Sequence, residues 1–184
     1  MNNKHGKLIV LCGKSGTGKT SIEHMLWNLG LKRVISYTTR EKRNNEINNI
    51  DYHFITKNKF NKMINDKKFI EYNIFNNDLY GTTYDSINLS KGHTVCVVEP
   101  NGYKSLLNYF GKDNVIMVYI YIENYERLIR LLNRSKDVEN SINKYNSDET
   151  LFNEIYNESL YKIKNIDIKT SALTIANLIL KMHL

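Results

Sequence analysis

The chain has 184 residues, of which 41% are hydrophobic and 24% charged, and its formal net charge is +7. This length suits one domain and is too short for two independent ones, and the composition is that of an ordinary globular protein. Its apolar runs are shorter than the roughly 20 residues that span a bilayer, and its two cysteines suit reduced core thiols rather than a disulfide framework, so we expect a cytoplasmic protein without membrane partners.

The excess of Lys and Arg has two interpretations. It could serve nucleic-acid binding, or it could line a cleft that handles several phosphates at once. No aromatic-plus-basic signature or helix-turn-helix pattern accompanies the charge. We therefore expect small phosphorylated partners and no nucleic acid, while the oligomeric state is left open.

Three stretches of strand length are continuously apolar and rich in Val and Ile: 7–12, 94–99 and 115–122. The lack of alternation is typical of central strands in a parallel sheet. Apolar residues at helical spacing follow between and after them, over 22–29, 103–110 and 128–132. Strands that alternate with helices predict right-handed βαβ units, and hence an α/β fold whose parallel sheet is covered by helices.

Two segments break this alternation. Residues 36–90 hold short runs and one predicted helix at 57–66, which indicates an inserted small α+β subdomain. The polar stretch after Leu132 lacks apolar periodicity and suits a mobile lid at 133–145. The core then comprises 1–35, 91–132 and 146–184. Its last part is predicted to contain a helix near 148–163, a short run at 163–168 and a terminal helix from Ser171.

The stretch GKSGTGKT, residues 13–20, matches G-x-x-x-x-G-K-[ST] between a predicted strand and a predicted helix. This is the context of a phosphate-binding P-loop, and a plain glycine-rich turn is the weaker interpretation because both flanks fit. Lys19 would contact the β and γ oxygens of a nucleoside triphosphate, Thr20 would ligate Mg²⁺, and the helix N-terminus favours negative charge. The predicted nucleotide-binding residues are Gly13, Lys14, Ser15, Gly16, Thr17, Gly18, Lys19 and Thr20.

A second phosphate could bind near Arg40 and Arg43, which follow a short predicted strand and precede Tyr52. Guanidinium groups match the geometry of a phosphate, and a phenol adds a donor. The alternative is that the arginines pair with carboxylates of the same solvated loop, namely Glu41, Glu46 and Asp51.

Glu71 falls inside an apolar, aromatic run, FIEYNIF. A buried carboxylate needs a partner, and a guanine base would supply adjacent donors from its N1–H and 2-amino groups. The alternative is that Glu71 lies on the exposed face of an edge strand.

The segments SGTGKT, SYTTR, FIEY and LYGTT, together with the spacing from Arg43 to Tyr52, occur in an order that resembles the guanylate kinase family. The resemblance covers nearly the whole chain. It implies a P-loop NTPase-type α/β fold and an enzyme that phosphorylates GMP and dGMP to GDP and dGDP, with ATP as co-substrate and Mg²⁺ as cofactor.

The resemblance also implies site residues. Those that match the family's guanine-reading positions are Ser36, Glu71, Thr82 and Glu99. Those that match the positions holding the phosphate of GMP are Arg40, Arg43, Tyr52 and Tyr80. Arg130 and Arg134 resemble lid arginines and, with Lys19 and Arg40, are the predicted catalytic residues. Asn165 resembles an Asn near the adenine of ATP.

The helix before the lid offers a simpler role for some of its arginines. Arg127 could pair with Glu123, and Arg130 with Glu126, at the helical spacing of four residues. Arg134 has no carboxylate four residues earlier and is therefore the stronger functional candidate.

Glu99 stands where the family usually has Asp, and three other residues also depart from the family's pattern. Lys14 stands where proline is usual, Val97 where the family has Asp, and Tyr145 where it has a lid arginine, with Lys144 as a neighbouring substitute. These departures favour lower activity or altered specificity. Two alternatives therefore stay open: a kinase for another nucleoside monophosphate, and a catalytically weak guanylate-kinase-like domain that binds protein segments.

Overall fold

A computed structural model describes residues 6–75, 77–134 and 137–182. The strands among them are β1 (Leu8–Cys12), β2 (Lys32–Arg33), β3 (Tyr37–Thr38), β4 (His53–Phe54), β5 (Phe69–Phe75), β6 (Asp78–Thr83), β7 (Thr94–Val97), β8 (Val115–Tyr121) and β9 (Tyr161–Lys164). The helices are α1 (Lys19–Asn28), α2 (Lys57–Asn65), α3 (Pro100–Phe110), α4 (Asn124–Arg134), α5 (Val138–Glu158) and α6 (Ile168–Lys181). Residues 1–5 and 183–184 of the predicted core, and 135–136 of the predicted lid, lie outside the described residues.

The main sheet is parallel, in the order β2-β7-β1-β8-β9. β1 is central, with Leu8 opposite Thr94 of β7 and Val115 of β8. All five of its residues are buried, because successive side chains point to opposite faces and both faces are covered. The α/β fold with a helix-covered parallel sheet is thus confirmed.

Helices cover both faces of this sheet. On one face the core includes Leu106 of α3 and Phe152 and Ile155 of α5. On the other it includes residues of α1 and α6, namely Ile22, Leu26, Ala172, Ile175 and Ile179. Among the described residues, none of these helices has the length and apolarity needed to cross a membrane.

A second sheet lies within the predicted insertion, in the order β4-β3-β6-β5. β3 pairs with β4 in parallel and with β6 antiparallel, and β5 pairs with β6 antiparallel. Helix α2 packs against it through Phe60, whose ring stacks on Phe69 with centroids 4.4 Å apart. This sheet presents Glu71 and Tyr80, on two adjacent strands, to a cavity beside the loop of residues 13–20.

Helix α5 differs most from the prediction. It begins at Val138, so residues 138–145 of the predicted lid are helical, and it ends at Glu158 rather than at residue 163. The Asp137 side chain caps it by accepting from the amide of Asn140 at 2.9 Å. Its buried positions are Ser141, Asp148, Phe152 and Ile155, two of which are polar. A search for apolar periodicity therefore misses the first half of the helix.

Other boundaries shift for local reasons. The run predicted at 163–168 is strand β9, at 161–164, and α6 begins at Ile168 rather than Ser171 because Asp167 caps it through the amide of Thr170 at 2.8 Å. Strand β7 ends at Val97, before the predicted residue 99, because Pro100 starts α3. Proline suits a first helical position, where no amide donor is needed.

We predict that Ile155→Ala lowers the free energy of unfolding by about 2–5 kcal/mol, because Ile155 of α5 is 1% exposed in the core. Leu151 of the same helix is 38% exposed, so Leu151→Ala should cost less, about 1 kcal/mol. Urea denaturation measures both. Equal losses would contradict the packing of α5 described here.

Candidate active site

The loop of residues 13–20 joins β1 to α1. Gly18 precedes the helix with φ of 91°, and a Cβ there would lie 2.4 Å from the side-chain nitrogen of Asn165, so only glycine fits. Lys19 is the first residue of α1, and its Nζ donates to the carbonyls of Gly13 at 2.5 Å and Lys14 at 2.9 Å. The loop therefore curls around its own lysine at the start of a helix, where negative charge is favoured.

Burial lowers the pKa of Lys19 to about 8, and the nearby carboxylate of Asp148 opposes this shift. The pKa of Lys19 is thus only about one unit above neutral pH. A bound anion would stabilise its protonated form.

A cavity of about 610 Å³ opens beside this loop and contacts both sheets and α4. The structure brings together in its lining most residues that the sequence singled out. They are Gly13, Ser15, Gly16, Gly18, Lys19, Thr20, Ser36, Arg40, Arg43, Tyr52, Glu71, Tyr80, Glu99, Arg130 and Arg134.

One part of the cavity is strongly basic. The guanidinium of Arg40 pairs with both carboxylate oxygens of Glu46, at 2.8 and 2.9 Å, so for Arg40 the ion pair considered from the sequence is present. The amide of Arg43 donates to the same carboxylate at 2.8 Å. Desolvation and the charges of Arg43 and Arg40 lower the pKa of Arg134. Three arginines from two separate segments therefore share this region with one carboxylate.

Glu71 lies in another part of the lining. Burial raises the pKa of its carboxyl group, and hydrogen bonds from Thr82 oppose the shift. The hydroxyls of Thr82 and Ser36 lie 3.1 Å apart. A Cβ on Gly102 would lie 3.1 Å from Glu71 Oε2. The start of α3 therefore packs closely against the Glu71 carboxylate.

Asn73 lies beside Glu71 and was missed by the sequence analysis. Its amide nitrogen donates to Glu99 Oε2 at 3.0 Å, and its side-chain oxygen is buried without a hydrogen-bond partner among the described residues. Asn73 follows Glu71 by two residues on β5, so strand alternation was a signal that could have found it.

Four predicted site residues do not line the cavity. Thr82 is fully buried behind Ser36 and Glu71. Asn165 is 2% exposed, and its amide donates to the carbonyl of Thr17 at 2.8 Å while accepting from Ser171 at 3.0 Å. Thr17 is buried within the loop, and Lys14 turns away to pair with Glu149. Lys14, considered unusual from the sequence, thus has a specific partner on α5.

The partners of Arg127 differ from the one that helical spacing suggested. Arg127 does not pair with Glu123, whose carboxylate lies 2.5 Å from Lys164. Arg127 is instead 1% exposed and contacts α5, at 2.6 Å to Glu149 and 3.4 Å to Asp148. Its guanidinium also lies over the Tyr145 ring, 3.9 Å from the centroid. The partners are about 20 residues away along the chain, so helical spacing could not reveal them.

A second buried ion pair joins α1 to Arg33 of β2, which also reaches the 47–51 turn. Arg33 Nε lies 2.9 Å from Glu23 Oε2, and Arg33 Nη1 donates to the carbonyl of Ile50 at 2.7 Å. Burial raises the pKa of Glu23 to about 7, with Arg33 opposing. This contact links the helix that begins at Lys19 to the segment that precedes Tyr52, and no sequence motif indicated it.

Comparisons with known proteins show what this chain is similar to. A model of the guanylate kinase family matches residues 5–181. The chain is 38% identical over 149 residues to a guanylate kinase of Mycoplasma mobile, covering 75% of this chain and 74% of the relative. It is 36% identical to a guanylate kinase of Wigglesworthia glossinidia brevipalpis, covering 90% and 88%. A crystal structure of guanylate kinase from Anaplasma phagocytophilum superposes with a TM-score of 0.77 at 21% identity, covering 97% of this chain and 86% of that one, and so supports the fold.

The pKa of Lys19 predicts a pH dependence for ATP binding. Above pH 8 Lys19 of the free protein loses its proton, whereas Lys19 beside a bound phosphate keeps it. Binding of ATP at pH 9 should therefore take up a proton from solution. The dissociation constant should rise by up to about tenfold per pH unit above pH 8. Calorimetry at pH 7 and pH 9, in buffers of different ionisation enthalpy, measures both effects.

Two variants serve as controls for this pH dependence. Lys104→Arg, at a surface pair with Glu154, should leave the proton uptake unchanged. Lys19→Arg should remove it, because arginine stays protonated at both pH values. A wild-type dissociation constant that is equal at pH 7 and pH 9 would contradict the role of Lys19.

Proposed function

The chain belongs to the guanylate kinase family, and from that premise we propose that it transfers a phosphoryl group from ATP to GMP, and to dGMP, within the cavity beside the loop of residues 13–20. One observation supports this reaction most directly. Arg40, Arg43 and Arg134 gather in one region of the cavity, and Glu71 lies in another, with the phosphate-binding loop opening into the same space. Such a cavity suits two phosphorylated ligands, one of which carries a base with paired donors.

On the donor side, the loop amides would hold the phosphates of ATP, and Lys19 would contact their oxygens. Asn165 was expected near adenine. Its present hydrogen bonds to Thr17 and Ser171 support a second role, in which it holds the loop in shape. Lys14 and Thr17 would likewise support the loop rather than contact the nucleotide.

On the acceptor side, Glu71 would accept from N1–H and the 2-amino group of guanine. Thr82 would orient Glu71 and Ser36 from behind, and Glu99 would act together with Asn73 at the edge of the base. The residues proposed to hold the phosphate of GMP are Arg40, Arg43, Tyr52 and Tyr80, all of which line the cavity.

The transfer itself needs no general base. The second pKa of a phosphate monoester is about 6, so the attacking oxygen of GMP is already anionic at neutral pH. The protein's contribution is alignment and charge neutralisation. We assign this to the predicted catalytic residues Lys19, Arg40, Arg130 and Arg134. The γ-phosphorus bond to the ADP oxygen breaks as the bond to the GMP oxygen forms.

The side chains fit a magnesium ion that is held largely by its nucleotide. Thr20 lines the cavity next to Lys19 and would supply a hydroxyl ligand. Within 6–75, 77–134 and 137–182 no group of three His, Cys, Asp or Glu side chains could form an all-protein site. Mg²⁺ usually keeps waters and phosphate oxygens as ligands, so this donor set suits it. When bound, it would neutralise part of the phosphate charge.

We further propose a division of the chain into a core at 1–35, 91–132 and 146–184, an acceptor subdomain at 36–90 and a lid at 133–145. The separate sheet of β3 to β6 supports the second of these. The lid would differ from the expected irregular segment, since its residues 138–145 belong to α5. A cytoplasmic location stays a proposal, which the buried free thiols of Cys12 and Cys96 support.

The test is an ATP-consumption assay with a panel of nucleoside monophosphates. GMP and dGMP should be phosphorylated with the highest kcat/KM, and AMP, CMP and UMP should be poor acceptors. A different preferred acceptor would overturn the guanine assignment, and ATP binding without turnover of any acceptor would favour a binding domain.

We predict that Glu71→Gln raises the KM for GMP by about tenfold or more, because a carboxylate that accepts two base donors is replaced by an amide with only one acceptor oxygen. The KM for ATP should stay within about twofold. Steady-state kinetics with each substrate varied in turn measures both. Glu41→Gln, which changes a carboxylate on a nearby exposed loop, is the matched control, and wild-type GMP kinetics for Glu71→Gln would overturn the role of Glu71.

A further inference from the structure

We infer that Asp148 is a determinant of the affinity for ATP. Its carboxylate accepts a hydrogen bond from a backbone amide of the loop that the phosphates of ATP would also need. The inference rests on the proposed function, since it assumes that ATP binds at residues 13–20. It concerns a residue of α5 that no sequence motif indicated.

The contact is direct. The amide of Ser15 donates to Asp148 Oδ2 at 2.6 Å, and Asp148 is completely buried. Ser15 and its neighbour Gly16 both line the cavity. Amides of a glycine-rich loop before a helix are the usual donors to phosphate oxygens. The carboxylate oxygen therefore occupies a donor that an anionic ligand of the loop would also use.

The surroundings of Asp148 also resemble those of a bound phosphate. Lys144 Nζ lies 2.9 Å from Oδ1, and Arg127 Nη1 lies 3.4 Å from Oδ2. Its charge also supports the protonated form of Lys19. Two basic side chains and a loop amide thus surround one carboxylate, and they would suit a phosphate oxygen equally well.

A neighbouring pair extends the contact between α5 and the loop. Glu149, the next residue of α5, pairs with Lys14, the residue before Ser15 in the loop. Two consecutive residues of α5 thereby meet two consecutive residues of the loop. The arrangement holds the Asp148 carboxylate in place, which an isolated surface side chain would not achieve.

Competition follows from this geometry. A phosphate oxygen that takes the Ser15 amide must displace Asp148, and the two groups carry charge of the same sign. The apparent affinity for ATP is therefore reduced by the fraction of protein in which the amide is free. Arg127 and Lys144 would still neutralise the displaced carboxylate, so displacement does not leave it unpaired.

Asp148→Asn tests the inference, because it keeps the shape of the side chain and removes its charge. We expect it to bind ATP about tenfold more tightly than wild type, as loss of a charge-assisted hydrogen bond implies. Calorimetry is carried out at pH 6.5, below the wild-type Lys19 pKa of about 8, because loss of the Asp148 charge lowers that pKa further. Binding of GMP should be unchanged, because GMP does not use the Ser15 amide.

Glu154→Gln is the matched control, since Glu154 lies on the same helix and pairs only with Lys104 at the surface among the contacts described. Its affinity for ATP should equal that of wild type. Equal or weaker ATP binding by Asp148→Asn would overturn the inference. If wild type binds ATP and phosphorylates GMP while Asp148→Asn is unchanged, this inference alone fails. If wild type does neither, the proposed function fails with it.

A second measurement uses the wild-type chain and does not depend on the folding of a variant. Hydrogen exchange followed by NMR reports on the Ser15 amide, which should be protected without any nucleotide because it donates to Asp148. Exchange at the rate of a free amide would overturn the inference.

Discussion

The buried guanidinium of Arg127 determines how the side of the cavity next to the loop of residues 13–20 is built. A charge that is 1% exposed must be paired, because an isolated buried ion costs several kcal/mol. Arg127 extends from α4, and its partners Asp148 and Glu149 lie on α5, so the two helices must lie side by side at these residues. The same two carboxylates contact Ser15 and Lys14 of the loop. One buried charge therefore fixes the relative positions of two helices and the loop of residues 13–20.

The central sheet could be predicted from the sequence because its chemistry is uniform. Strand β1 is buried on both faces, so each of its residues is apolar and the run is continuous. Helix α5 could not be predicted in full, because its buried face is mixed. Ser141 is buried there and donates to the carbonyl of Leu131 at 3.2 Å, and Asp148 is buried there as a partner of Arg127. A polar residue that is buried for the sake of a distant partner has no local signature.

The same limit applies within the cavity. The motifs revealed residues whose spacing along the chain is constrained, such as Lys19 in the loop. They did not reveal which residues hold those side chains in place. The pairs Arg33–Glu23 and Arg127–Asp148, and the hydrogen bond from Asn165 to Thr17, join segments that only the folded chain brings together. Helical spacing suggested Glu123 for Arg127, whereas burial of the guanidinium selected α5 instead.

Two carboxylates accept hydrogen bonds near the cavity, Glu46 in its lining and Asp148 buried behind the loop of residues 13–20. Glu46 accepts from Arg40 and from the amide of Arg43, and Asp148 accepts from the amide of Ser15 beside Lys144. These carboxylates reduce the repulsion among the basic groups that lie close together in each region. Under the proposed function, each phosphate would replace a carboxylate as the acceptor of hydrogen bonds that already exist in the free protein. Affinity then depends on the difference between a phosphate, with close to two negative charges, and a carboxylate with one. Because that difference is smaller than the full interaction, a single carboxylate can adjust how tightly each ligand is held.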